Sequence, residues 1–184
     1  MRNKILLAIF SIFLISFASA ANYNITNCQD ITLPGTYLIT QDLSSSATCL
    51  NILASNVFIN GNSKTIVGLG SNDKQGIDIF NQSNIYIQNL NIRGFGTGIS
   101  GIDLNNLNLE SINIQNTTIG LYLANSQNTY LNDMTYSNNA LINEFTEDNN
   151  NTFTNVPLVP EFGFYIGALT LVSAVGIFFF LRKK

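Results

Sequence analysis

Apolar side chains occur at every second position in short runs along the middle of the chain, as in Ile77/Ile79, Ile85/Ile87 and Leu90/Ile92. A period of two predicts short β-strands with one face turned to a core. Asn, Gly and Ser separate the runs; these residues tolerate left-handed backbone and mark turns. The runs also recur. Asn84-Ile85-Tyr86-Ile87 returns as Asn106-Leu107-Asn108-Leu109 and then as Asn128-Thr129-Tyr130-Leu131, with a constant sequence separation of 22. Asn89-Leu90-Asn91-Ile92 returns as Ser111-Ile112-Asn113-Ile114 and Asp133-Met134-Thr135-Tyr136, and Gly76, Gly98 and Gly120 keep the same step.

Three short strands in each such step predict one coil of a parallel β-helix, with each coil stacked on the next at about 4.8 Å. The alternating Ile, Leu, Val and Phe side chains would fill the tube. Asn84, Asn106 and Asn128 would stack as an amide ladder at a turn. Upstream, Asn56-Val57-Phe58-Ile59 stands at a sequence separation of 28 from the run that opens at Asn84, and the excess of six predicts a surface loop around Gly68 to Lys74. Downstream, Asn151-Thr152-Phe153-Thr154 follows Asn128 by one position more than the period. The L-x-x-L-x-L signature of a leucine-rich repeat is absent, and a meandering sandwich would not hold a fixed step. One stretch departs from the period. Ile77-Asp78-Ile79 looks most like Ile102-Asp103-Leu104, which opens at Ile102 where the period calls for Ile99. Either one turn of that coil is three residues shorter, or Ile99 takes the strand position.

The two ends follow a different pattern. Arg2 and Lys4 precede the apolar run Ile5 to Phe17, which is too short to span a bilayer comfortably, and Ala18-Ser19-Ala20 supplies an A-x-A cleavage site. Residues 1–20 thus read as a signal peptide cut between Ala20 and Ala21. The stretch from Phe162 to Leu181 is uncharged throughout, and as a helix it is long enough to cross the roughly 30 Å hydrocarbon core. Arg182-Lys183-Lys184 would stay cytoplasmic, so the polar middle faces outside. The expected organisation is a signal peptide over 1–20, a β-helix ectodomain over 21–155 and a Pro-containing spacer over 156–161. A membrane helix over 162–181 and a basic cytoplasmic tail over 182–184 would follow. The protein would then sit on the outer face of the cell membrane as a single-pass protein.

Charge narrows the class of partner. From Ala21 to Val159 only Lys64, Lys74 and Arg93 are basic, against ten Asp and Glu, leaving −7. That balance repels nucleic acid, so no nucleic-acid partner is expected. Cys28 and Cys49 are the only cysteines, with a sequence separation of 21 that is close to one coil. Outside the cytoplasm they predict a disulfide, with Cα atoms about 5 Å apart on neighbouring coils.

Two resemblances add to this reading. The segment Cys28…Asp30-Ile31…Pro34-Gly35-Thr36-Tyr37-Leu38-Ile39…Cys49-Leu50-Asn51-Ile52…Asn56-Val57-Phe58-Ile59-Asn60-Gly61-Asn62 is similar to the opening coils of NosD-like surface proteins of archaea. The likeness covers about Cys28 to Thr154 and implies an all-β, right-handed parallel β-helix, here of about five coils. It carries little about activity, because this fold serves lyases, hydrolases, adhesins and structural proteins. The copper role linked to that family name is not carried over. The chain has no His, and beyond the signal peptide its one Met is Met134, so soft or imidazole ligands are missing. At the other end, Pro160-Glu161-Phe162, the apolar span and the basic cluster resemble archaeal PEF-type sorting signals. That likeness implies an archaeosortase-like processing partner that cuts near the motif. A plain stop-transfer helix reads the same residues as a retained anchor.

The remaining candidates are few. Asp78 and Asp103, with Arg93 nearby in sequence, are the residues best suited to act on a polysaccharide. Two stacked carboxylates could serve as acid and nucleophile, or they could be solvated charges that keep a sheet soluble. No third group accompanies them at a fixed offset. Asn24, Asn81, Asn116 and Asn150 open glycosylation sequons. Tyr37, Tyr86, Tyr122, Tyr130 and Tyr136 would stack on sugars if they face outward and would otherwise pack in the core. The expected function is non-enzymatic: a cell-surface module with a structural, adhesive or carbohydrate-contacting role, meeting envelope glycans or surface proteins. It needs no catalytic residue, metal or cofactor. The other reading is a small polysaccharide lyase or hydrolase.

Overall fold

The computed structural model describes residues 21–146 and 152–154. The signal peptide with its Ala20 junction, the spacer, the Pro160-Glu161-Phe162 motif, the membrane span, the basic tail and Asn150 lie outside the described residues. Among the described residues the chain is all β, a parallel β-solenoid of about five turns, and no helix is long and apolar enough to cross a membrane.

The solenoid has three walls. The first stacks β1 (Asn22–Ile25), β3 (Gly35–Ile39), 57–60 of β6 (Val57–Phe80), 85–88 of β7 (Ser83–Ile102), 107–110 of β8 (Asn105–Gln115), β10 (Tyr130–Asn132) and β13 (Thr152–Thr154). The second stacks β4 (Leu43–Ser45), 64–68, 90–93, 112–115 and β11 (Thr135–Ser137). The third stacks β2 (Gln29–Ile31), β5 (Leu50–Ile52), 75–80, 97–102, β9 (Ile119–Ala124) and β12 (Leu141–Thr146). Every pairing is parallel, so each coil finds its backbone partners in the coils before and after it.

The inward files follow the alternation. Ile59, Ile87, Leu109 and Leu131 are in register on the first wall, and each is fully buried. Val57, Ile85 and Leu107 make a second file there, and Leu50, Ile77, Ile99 and Leu121 line the third wall. Each inward Ile or Leu contributes about 1.5–3 kcal/mol by leaving water. At the N-terminal end the file is closed by aromatic rings: Tyr37 is buried and stacks on Tyr23 with centroids 4.8 Å apart. The Tyr37 hydroxyl donates to the Leu33 carbonyl at 2.8 Å, and burial pushes its phenol up, assisted by Tyr23.

The corners explain why Asn is so frequent. Single residues in the turns between walls take left-handed backbone, which Asn and Asp accept more readily than other side-chain-bearing residues. The turn from the third wall to the first holds two of them, Asn81, Asp103 and Asn125 at its start and Asn84, Asn106 and Asn128 at its end, with Asn56 equivalent to Asn84; Asn89, Ser111 and Asp133 stand between the first wall and the second. Gly94, Asn116 and Asn138 stand between the second wall and the third, also at positive φ. The amide ladder runs Asn106 to Asn84 at 2.8 Å and Asn84 to Asn56 at 2.9 Å. It then shifts, because Asn128 donates to Asn105 at 2.8 Å and not to Asn106. The glycine column has a packing cause: a Cβ on Gly98 would lie 2.5 Å from the Gly120 carbonyl oxygen, and one on Gly76 would lie 2.7 Å from that of Gly98.

Three register questions are settled. Ile77 pairs with Ile99 and Asp78 with Ser100, so the regular step continues and Ile99 takes the strand position. The last first-wall step is also regular, since Tyr130 pairs with Thr152 as it does with Asn108. The six extra residues between 57 and 85 are not one loop. The offset between partners is widest at Asn60/Gln88, falls by two at Lys64/Leu90 and by four more at Gln75/Thr97. Two residues therefore widen the corner at 61–63, where Asn62 and Ser63 are both left-handed and later coils need one such residue. The other four lie between Val67 and Gln75.

Cys28 and Cys49 form the expected disulfide with Cα atoms 4.5 Å apart. It ties the first coil to the second beside the Gln29 N–H to Cys49 carbonyl bond of 2.8 Å.

Candidate functional site

The outer face of the first wall carries the most distinctive surface. Residues that alternate with the buried Val57/Ile59, Ile85/Ile87 and Leu107/Leu109 pairs point outward, and in register they give the file Phe58, Tyr86, Asn108, Tyr130. The Phe58 and Tyr86 rings lie 5.0 Å apart at 56°, and Tyr130 is among the exposed large side chains. Alongside runs a polar file of Asn60, Gln88, Glu110 and Asn132. The Tyr86 hydroxyl donates to Glu110, which fixes the ring across two coils. This bond first, then burial and the charge of Glu110, push the Tyr86 phenol up to about 12. Between Tyr86 and Tyr130 the Asn108 Oδ1 accepts no hydrogen bond from a described residue. Flat rings interleaved with amides and a carboxylate give this face apolar stacking surfaces beside hydrogen-bonding groups.

The five tyrosines divide by parity. Tyr86, Tyr122 and Tyr130 alternate with buried neighbours and face out, while Tyr37 is buried and Tyr136 packs against the core. Phe58 was missing from the sequence-derived aromatic set. Its parity against Val57 and Ile59, the signal used for Tyr86, identifies it.

The carboxylate pair does not assemble. The strand partners of Asp78 are Asn51 and Ser100. Asp103 sits three residues out of step, at a left-handed corner, and accepts from the Asn125 amide. Arg93 is on the second wall and Asp78 on the third. Asn24 is exposed on β1, and Asn81 and Asn116 are exposed corner residues. Corner geometry alone accounts for asparagine at the last two positions, so those two sequons arise from the fold whether or not they carry sugar.

Among the described residues no three His, Cys, Asp or Glu side chains come together as a metal site. Met134, the one thioether beyond residue 20, is buried in the core. Calorimetric titration of copper into the protein is expected to show no sub-micromolar binding, since neither imidazole nor accessible thioether is present. A sub-micromolar isotherm would overturn that expectation.

No family model matches the chain, and neither a curated protein nor a solved structure matches it.

Proposed function

We propose that this protein is an exported, membrane-anchored surface module that contacts carbohydrate through the outer face of its first wall, without catalysing a reaction. The observation that carries this reading is the Phe58–Tyr86–Asn108–Tyr130 file beside Gln88 and Glu110. The proposal includes a signal peptide over 1–20, a span over 162–181 and a right-handed winding of the NosD-like kind. It also includes processing at Pro160-Glu161-Phe162 by a sortase-like enzyme and glycans on some of the exposed sequons. A basic-then-apolar segment at the start of the sequence and an apolar-then-basic one at its end support export and anchoring. Right-handed winding is the rule for parallel strands joined by crossovers. The separation of Asp78 from Asp103 speaks against the enzymatic reading.

The test is binding of the full chain, held in detergent micelles, to oligosaccharides released from cell envelopes. Tyr86→Ala and Tyr130→Ala should each weaken binding by about tenfold, the scale of one lost aromatic stacking contact in a recognition site. The melting temperature should be nearly unchanged in Tyr130→Ala, whose ring is exposed, and should fall by a few degrees in Tyr86→Ala, whose ring packs on Phe58 and whose hydroxyl bonds Glu110. Unaltered affinity in the double variant would remove the first wall as the contact face.

A further inference from the structure

The second wall differs from the other two in charge. The first wall carries Glu110 and the third carries Asp30, Asp78 and Glu144, whereas the second-wall strands (43–45, 64–68, 90–93, 112–115 and 135–137) contain no Asp or Glu. They do contain two of the three basic residues found between 21 and 159, Lys64 and Arg93. The third, Lys74, is already paired with Asp73 at 2.9 Å. Arg93 is exposed and forms no ion pair among the described residues. It borders a shallow depression of about 400 Å³ lined by Thr65, Asn91, Ile92, Arg93 and Gln115.

The floor of that depression is held in place. The Asn91 amide donates to the Ser63 carbonyl at 3.1 Å, and its oxygen accepts from the Asn113 amide at 3.3 Å. Asp42, at the corner entering the wall, has one oxygen engaged by the Thr65 N–H at 2.9 Å. What borders the depression is a planar cationic fork with amide and hydroxyl neighbours. That set suits a carboxylate attached to a ring bearing hydroxyls.

We propose that the second wall docks the carboxylate of an acidic sugar residue, with Arg93 as the anion-binding group. The proposal rests on the reading of the protein as a glycan-contacting module and adds the charge class of the glycan and a second face. A chain with an excess of acids would otherwise repel a uronic-acid polymer. Strands free of carboxylates, with Asp42 and Asp133 only at the corners that lead into them, are where such a polymer approaches, and Arg93 sets its register.

The experiment titrates the full chain in detergent micelles with galacturonic acid oligomers and with the same oligomers fully methyl-esterified, which removes charge and keeps the skeleton. The acid form should bind about tenfold tighter, the scale of one charge-assisted bidentate contact, and the difference should collapse in high salt. Arg93→Gln should abolish the preference. Tyr86→Ala should weaken both forms and leave the preference in place. Equal binding of the two forms, or an unchanged acid preference in Arg93→Gln, overturns the second-wall site while leaving the first-wall reading intact. Inorganic sulfate competing as well as the oligomer would also overturn it, because Arg93 would then be a general anion site. Loss of all binding in Tyr86→Ala with Arg93→Gln inert would assign the glycan to the first wall alone.

Discussion

Leu109→Asp is expected to cost several kcal/mol, enough to unfold the solenoid or open its middle coil. Leu109 is fully buried between Ile87 and Leu131 in the central inward file. A carboxylate placed there has no donor in its aliphatic neighbours Ile87 and Leu131, so it must either protonate or draw water into the tube. The cost approaches the whole stability of a small domain. The neighbouring Asn108 provides the control. It faces outward, half-buried between Tyr86 and Tyr130, with Glu110 on the same wall. Asn108→Asp adds a like charge near Glu110 and should cost about 1 kcal/mol or less. Denaturant melts of both variants decide the matter: if Asn108→Asp is as damaging as Leu109→Asp, the alternation on this wall is wrong.

The second large effect concerns Cys28 and Cys49. The first coil has a neighbour on one side only, and its β1 and β2 edges are open among the described residues. The disulfide holds that coil to the second, closing a loop of sequence separation 21. In the chain-entropy model a loop of this size contributes about 3 kcal/mol. Replacing both cysteines by serine should therefore lower the melting temperature by about 10 °C for a domain of this size. The loss should be concentrated in early exchange of the β1 and β2 amides, since the inner coils keep both neighbours and the last coil is not touched by the bond. Native protein that alkylates at both thiols without reduction would show that the bond does not form, and an unshifted melt would show that it does not stabilise.

Much of the fold was legible because a solenoid writes its geometry as a period. Asn84, Asn106 and Asn128 marked one corner, and Ile87, Leu109 and Leu131 one file, before any coordinates were needed. Ile102-Asp103-Leu104 left the register open because alternation is a local signal. An Ile-Asp-aliphatic triplet looks the same whether Asp is an outward strand residue, as Asp78 is, or a left-handed corner residue, as Asp103 is. The Ile99 strand was obscured by Gly98 and Gly101, small residues that fit close approaches and carry no hydrophobic signal. The insertion was read as one loop because a widened corner at Asn62 and Ser63 differs from an ordinary one by a second left-handed residue, which composition does not distinguish. The absence of carboxylates from the second-wall strands was hidden for another reason. Its strands are interleaved with the acid-bearing ones along the chain and come together only when the coils stack.

The constant step shared from β7 through β13 also bears on how such a chain changes over generations. In-frame duplication of one repeat inserts a complete rung that meets the same Ile and Leu files above and below, so no compensating change in the core is required. Each duplication lengthens the rod by about 4.8 Å, and a deletion shortens it by the same amount. The length of the rod can thus be reset in discrete increments by replication slippage, while the outward side chains of the other coils stay as they are.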